Sequence, residues 1–227
     1  MIVIRSEKAR RWMRRLLPFA AIPLAVALGV MLPGKMHLLV SLTVALLSLA
    51  LFIAGFERRQ TGARRMVLTA VMTALCIAGR YVPLFKPVTA LTILTGMYLG
   101  GEAGFLTGAL AALLSNFSFG QGPWTPFQMM AWGLIGLAAG YLHGPLKRSR
   151  AWLLLFGALA GVAYSMVMDV WSVLWYDGSF RWALYLSSML AALPHTAMYA
   201  VSNVIFLHLL GKPLGEKLRR MRVKYGL

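Results

Sequence analysis

LTILTGMYLGGEAGFLTGALAALLSNFSF, residues 91–119, joins two apolar runs through Gly100-Gly101, with one acid, Glu102, just past the join. Both runs, 88–99 and 102–118, are short for a membrane span, which needs about 20 residues to cross about 30 Å of hydrocarbon as a helix. Glycines fall at Gly96, Gly100, Gly104 and Gly108, and small residues four apart let membrane helices approach closely. The stretch predicts a tight helical hairpin, or else one broken element, inside a helical bundle.

The rest of the chain agrees. It has 227 residues, of which 59% are hydrophobic and only 13% charged, and its mean hydropathy is +0.72. Soluble domains carry about 25% charged residues. Apolar segments run at 16–33, 37–56, 66–85, 88–99, 102–118, 126–143, 151–176 and 183–210. The fold class is therefore all-α, a polytopic membrane bundle of eight helices, or six or seven if segments merge. Gly136 with Gly140 and Gly157 with Gly161 repeat the four-residue spacing and read as packing within the bundle. The basic N-terminus before an apolar run resembles a signal peptide, but with so many later spans it reads as a retained first helix. Cys76 stands alone within an apolar run, so no intramolecular disulfide forms.

The net charge of +17 would suit a nucleic-acid binder, but its placement argues otherwise. Four clusters, Arg5–Arg15, Arg58–Arg65, Lys147–Arg150 and Lys212–Lys224, hold 6, 4, 3 and 6 of the 23 Lys and Arg, leaving only Lys35, Arg80, Lys86 and Arg181. By the positive-inside rule, an N-terminus inside puts the connections near 57–65, 100–102 and 144–150 and the C-terminus in the cytoplasm. The connections near 34–36, 86–87, 116–126 and 177–182 then face outside. An odd number of spans breaks this agreement, so eight or six fits better than seven.

Few residues could carry chemistry. There is no GxxxxGK[ST] loop, no HExxH and no Cys/His cluster spaced for a metal. Of the acids Glu7, Glu57, Glu102, Asp169, Asp177 and Glu216, only Asp169 lies deep in a span, so a catalytic carboxylate pair is hard to assemble. No catalytic residue, metal site or intrinsic cofactor is expected. Arg80 lies 15 residues past Arg65, about 22 Å by helical rise, and Asp169 lies 19 past Arg150, about 28 Å. At comparable depth they form either a structural salt bridge or one pocket open to the outside. His195, after Pro194, lies near mid-membrane and reads more readily as a hydrogen-bonded bundle residue than as a proton relay; Asn203 reads as packing.

Aromatics from Tyr81 to Tyr185 crowd the outer side, and an interfacial belt accounts for many of them. The connection NFSFGQGPWTPFQM, residues 116–129, has more than a belt requires. Its prolines stiffen, its glycines allow close approach, and Asn116, Gln121 and Gln128 supply directed donors and acceptors. Apolar walls with a few placed polar groups describe a small-molecule site.

The stretches ARRMVLTAVMTALCIAGR and FKPVTALTILTGMYLGGEAGFLTGALAALLSNFSFGQGPWTPFQMMAWGLIGLAAG, within residues 63–143, resemble substrate-binding S components of energy-coupling factor (ECF) vitamin transporters. The resemblance implies a six-helix core over 63–227, preceded by residues 1–62 with a basic segment and two additional transmembrane helices of no assigned role. It implies a multi-pass protein of a prokaryotic plasma membrane, both termini cytoplasmic, binding a vitamin from outside and working with a transmembrane coupling subunit and two ATPase subunits. The family's AxxxA motif, which meets the coupling subunit, maps onto Ala70, Ala74 and Ala78. The 116–129 stretch most resembles members associated with cobalamin, while riboflavin also suits its aromatics and amides. The expected pocket is Arg80, Tyr81, Lys86, Asn116, Phe119, Gln121, Trp124 and Gln128, with Asp169, Trp175 and His195 as additions. A stand-alone secondary transporter, which would rely on Asp169 and His195 for coupling ions, and a lipid-modifying enzyme are the rival readings.

Overall fold

The computed structural model describes residue 4 and residues 6–31, 36–55 and 59–225, except for the side chains of 59–62. Arg5, Lys35, Glu57 and Arg58 lie outside those residues, as do most of the connection expected near 34–36 and the start of that expected at 57–65. Among the described residues every regular element is a helix. In chain order they are α1 (Glu7–Leu16), a π-helical turn (Leu17–Ala21), α2 (Ile22–Val30), α3 (His37–Ala54), α4 (Arg59–Gly79) and α5 (Val88–Leu99), followed by α6 (Gly101–Phe119), α7 (Thr125–Tyr141), α8 (His143–Arg148), α9 (Arg150–Asp177) and α10 (Trp182–Tyr225).

With α1, the π turn and α2 counted as one rod, the long helices follow the eight apolar segments. Four of them, Glu7–Val30, His37–Ala54, Arg150–Asp177 and Trp182–Tyr225, are long and apolar enough to cross a membrane by themselves. Three sequence boundaries need correction. Residues 59–65, read as a connection, already belong to α4. The connection near 144–150 contains the short helix α8. The basic tail does not leave the last span but continues it as helix to Tyr225, through Pro194 and Pro213.

The opening stretch forms the centre of the bundle. α5 has 12 residues, about 18 Å of helix, too short to cross the hydrocarbon. Every residue in it except Tyr98 is buried. A short helix at membrane depth is tolerable when protein surrounds it on all sides, and α4, α6, α7 and α10 pack around this one. Gly100 reverses the chain in a single residue with φ of 99°, a conformation that glycine adopts without steric cost.

Two further glycines make the packing possible. A Cβ on Gly104 would lie 2.6 Å from the Gly136 carbonyl oxygen, and one on Gly161 would lie 2.7 Å from the Ala200 amide nitrogen. Helices α6 and α7, and likewise α9 and α10, therefore touch backbone to backbone. The glycine stripes serve contacts inside the bundle.

The N-terminal helices pack on the α6–α7 side, with α3 against both and α2 against α7. A charge cluster pins them there. Glu102, buried in the first turn of α6, lies 2.5 Å from Arg14 Nε of α1 and 3.2 Å from Arg65 Nη2 of α4. Arg65 Nη1 also donates to the Gly55 carbonyl at the end of α3 at 3.2 Å. Glu102 thus sits at the end of the bundle where Arg14, Arg65 and the other described basic clusters gather. The loops 80–87, 120–124 and 178–181 lie at the opposite end.

Candidate functional site

α4 stops at Gly79, where a Cβ would lie 2.6 Å from the Pro87 ring, so the loop 80–87 folds back over the helix end. In that loop Leu84 takes φ of 59°, an uncommon conformation for a bulky residue and a form of strain that clusters at functional sites. Beneath the loop lies a cavity of about 260 Å³. One wall comes from the loop and the packed helices, through Arg80, Leu84, Lys86, Thr89, Gln128 and Trp132. The facing wall comes from α9 and α10, through Tyr164, His195, Met198, Tyr199, Ser202 and Asn203.

Arg80 organises the polar side. Its Nη1 donates to Ser115 Oγ and to Asn116 Oδ1, each at 2.6 Å. The Asn116 amide then donates to Thr125 Oγ1 at 2.8 Å and to Gln128 Oε1 at 2.9 Å. This chain carries the guanidinium's influence from the loop through α6 to α7. Its members, Ser115, Asn116, Thr125 and Gln128, are buried, where bonded groups hold one geometry because leaving any unmade is costly. The guanidinium carbon lies 4.7 Å from the Phe119 ring centroid and 5.4 Å from that of Trp132, within cation–π range. Lys86 shares the cavity, and burial first, then the Arg80 charge, pulls its amine below the usual lysine range. A second cation so close draws anionic or electron-rich ligand atoms toward this corner.

The aromatic side is ordered. Trp132 and Tyr164 stack with centroids 4.9 Å apart and planes 13° from parallel, and Tyr199 meets Tyr164 edge-on at 5.3 Å. Trp132 Nε1 donates to Thr89 Oγ1 at 3.1 Å, and Asn203 Nδ2 donates to the Gly157 carbonyl at 3.0 Å. The cavity thus pairs flat apolar surfaces with fixed donors.

Of the residues expected from sequence, Arg80, Lys86, Gln128 and His195 line this cavity, and Asn116 links Arg80 to Gln128 behind it. Tyr81 and Phe119 pair at 4.8 Å beside Arg80, both exposed. The others lie elsewhere. Gln121 fixes the α6–α7 turn, donating to the Leu113 carbonyl at 2.8 Å and accepting from Thr125 at 3.1 Å. Trp124 turns toward Trp171, 5.7 Å away, which stacks with Trp175 at 6.1 Å. Trp171 and Trp175 line a separate cavity of about 110 Å³ that also involves α2 and α3. Arg80 and Asp169 do not pair. Asp169 lies between α9 and α10 and accepts from Ser188 Oγ at 3.1 Å, because equal depth along two helices does not make their side chains face each other.

Sequence reading missed Trp132, Tyr164, Tyr199 and Thr89 as wall residues and took Asn203 for packing alone. A hydroxyl or indole carried at mid-span on α7, α9 and α10 was the available signal. Ala70, Ala74 and Ala78 lie exposed on α4 among Val67, Val71 and Leu75, opposite its buried face of Thr69, Met72, Thr73 and Cys76.

No curated protein and no solved structure gives a significant match to the chain. A family model for the ECF-type riboflavin transporter S component matches residues 60–219, from the start of α4 to the far part of α10. With well over half of its length matched, this chain belongs to the family of ECF-type riboflavin transporter S components.

Proposed function

We propose that the chain captures a flat, amphipathic vitamin, riboflavin rather than cobalamin, in the cavity beneath the loop 80–87. As an ECF S component it is a vitamin transporter's substrate-binding subunit and not an enzyme. The observation that carries the ligand choice is the near-parallel Trp132–Tyr164 pair next to Arg80 and Gln128. Aromatic faces of this kind contribute about 0.5–1.5 kcal/mol per pair beyond burial when a flat ring joins them, and the polar corner can hold ring carbonyls or a hydroxylated chain. The volume of about 260 Å³ lies near the lower end of small-molecule sites, which run from about 300 Å³ upward. That supports an isoalloxazine over a corrin ring with its appended nucleotide. The description of the matching family, which names riboflavin, supports the same choice.

Positive-inside placement supports capture from outside a prokaryotic plasma membrane, with both termini cytoplasmic. A coupling subunit and two ATPase subunits would then supply the energy. The exposed face of Ala70, Ala74 and Ala78 suits close approach by a partner helix.

Titration of the purified chain against riboflavin and cobalamin, followed by flavin fluorescence and by calorimetry, tests the ligand. Saturable one-to-one riboflavin binding is expected, and tight cobalamin binding with none for riboflavin overturns the reading. For the partner, uptake is measured in cells carrying Ala70→Trp with Ala74→Trp. Uptake should be lost while vitamin binding by the purified variant stays intact, and unchanged uptake removes the α4 interface.

A further inference from the structure

We propose that Gln128 decides which ligand edge the cavity accepts: its amide nitrogen is held as a donor into the cavity and demands a carbonyl-type acceptor opposite it. This assignment rests on the vitamin reading above and gives that site a polarity. It follows from the direction in which hydrogen bonds run through α6 and α7. An arginine has five N–H donors and no acceptor, so Asn116 must turn Oδ1 toward Arg80, and it does so at 2.6 Å. Its nitrogen then has two hydrogens to give. They start two branches, one to Thr125 Oγ1 at 2.8 Å and one to Gln128 Oε1 at 2.9 Å.

The Thr125 branch closes inside the protein. Thr125 Oγ1 donates to Gln121 Oε1 at 3.1 Å, and Gln121 Nε2 donates to the Leu113 carbonyl at 2.8 Å, a group that can only accept. The Gln128 branch ends open. Gln128 receives Asn116 on Oε1, which turns Nε2 away from Asn116, and the residue lines the cavity while only 9% exposed. The Tyr164 hydroxyl on the facing wall also interacts with this side chain. An amide nitrogen carries two hydrogens, so at least one is left to spend. A buried donor without an acceptor is costly, and a ligand oxygen or unprotonated ring nitrogen supplies what is missing.

The neighbours on that wall have the same sense. Arg80 and Lys86 can only donate, and Thr89 Oγ1 already accepts the Trp132 indole hydrogen at 3.1 Å. Among the described residues, no aspartate or glutamate lines the cavity. The wall therefore selects a ligand edge made of acceptors and rejects one that bears an amino group at that place. In an isoalloxazine, each pyrimidine carbonyl stands beside an unprotonated ring nitrogen and offers such an edge. Asn116 lies behind the cavity wall, so it acts through Gln128 as a positioning residue.

The test titrates the purified full chain in detergent with riboflavin, 2-thioriboflavin and 4-thioriboflavin by calorimetry, since sulfur accepts hydrogen bonds weakly. One thio compound should bind the unaltered chain roughly tenfold more weakly than riboflavin. Gln128→Met should bind riboflavin roughly tenfold more weakly and should lose that gap between oxygen and sulfur. Asn116→Asp reverses the polarity from behind the wall. A carboxylate accepts from Arg80 but cannot donate, so Gln128 must turn its nitrogen inward and its oxygen to the ligand. Riboflavin affinity should fall at least as far there, again with no gap. A merely structural role would weaken all three compounds alike and keep the gap. Equal binding of the three by the unaltered chain overturns the proposal, as does a gap that persists in either variant. Absence of any flavin binding by the unaltered chain is a different failure, which overturns the vitamin reading itself and this assignment with it.

Discussion

The α5–α6–α7 group and the α9–α10 pair are built on different terms, and the cavity lies where they meet. The first is closed by glycine backbones, with Gly104 against Gly136 and no side chain between. The second touches at Gly157 and Gly161 but carries Tyr164, His195 and Tyr199 on the side facing the core. Close packing supplies a rigid wall bearing Arg80's partners and Trp132. The α9–α10 pair, closed just as tightly where Gly161 meets Ala200, supplies the aromatic surface of the facing wall. The two groups therefore differ in what they present to the cavity, fixed polar groups from one and hydroxyl-bearing rings from the other.

The largest effect should come from breaking the rigid group. Gly136→Ala places a Cβ into the Gly104 backbone and should cost about 3 kcal/mol, the upper range for overpacking, seen as lost thermal stability in detergent. Gly157→Ala meets the end of the Leu207 side chain, which can swing aside, and should cost under about 1 kcal/mol. Comparable losses at both sites would erase the distinction between the two groups. A smaller effect is expected at the junction. Arg80→Gln loses a charged donor to Ser115 and Asn116, and ligand affinity should fall roughly tenfold to hundredfold in the riboflavin titration while the fold survives. The least change belongs to the α9–α10 seam. Asp169→Asn keeps an acceptor for Ser188 and should leave affinity within about threefold, whereas removing one partner of a buried ion pair would cost about 3–5 kcal/mol in stability.

The sequence carries these features unevenly. The hairpin at Gly100 is readable because glycine spacing and run length are one-dimensional properties. The Arg80–Asp169 pairing fails because helical rise gives depth and leaves azimuth open, and the azimuth of Asp169 is set by packing of α9 on α10. Gln121 and Trp124 are readable as parts of a specialised turn. Whether their side chains enter the cavity depends on contacts distant in sequence or internal to the turn, Gln121 bonding back to Leu113 and Trp124 meeting Trp171. Trp132 and Tyr164 are hidden for a different reason, since an aromatic at mid-span has the same composition whether it fills a core or walls a cavity. The charge knot at Glu102 joins residues 14, 65 and 102, separations at which no local pattern operates.

The shortness of α5 has a consequence for how the protein is made. Twelve residues that include three threonines give the insertion machinery too little apolar length to commit α5 to the bilayer as an independent span. It must enter together with α6, as a hairpin already turned at Gly100, and find its surroundings only when α7 and α10 arrive. The centre of the finished bundle is thus the part least able to insert unaided, and its place is secured late in synthesis, when α10, the last helix of the described chain, follows.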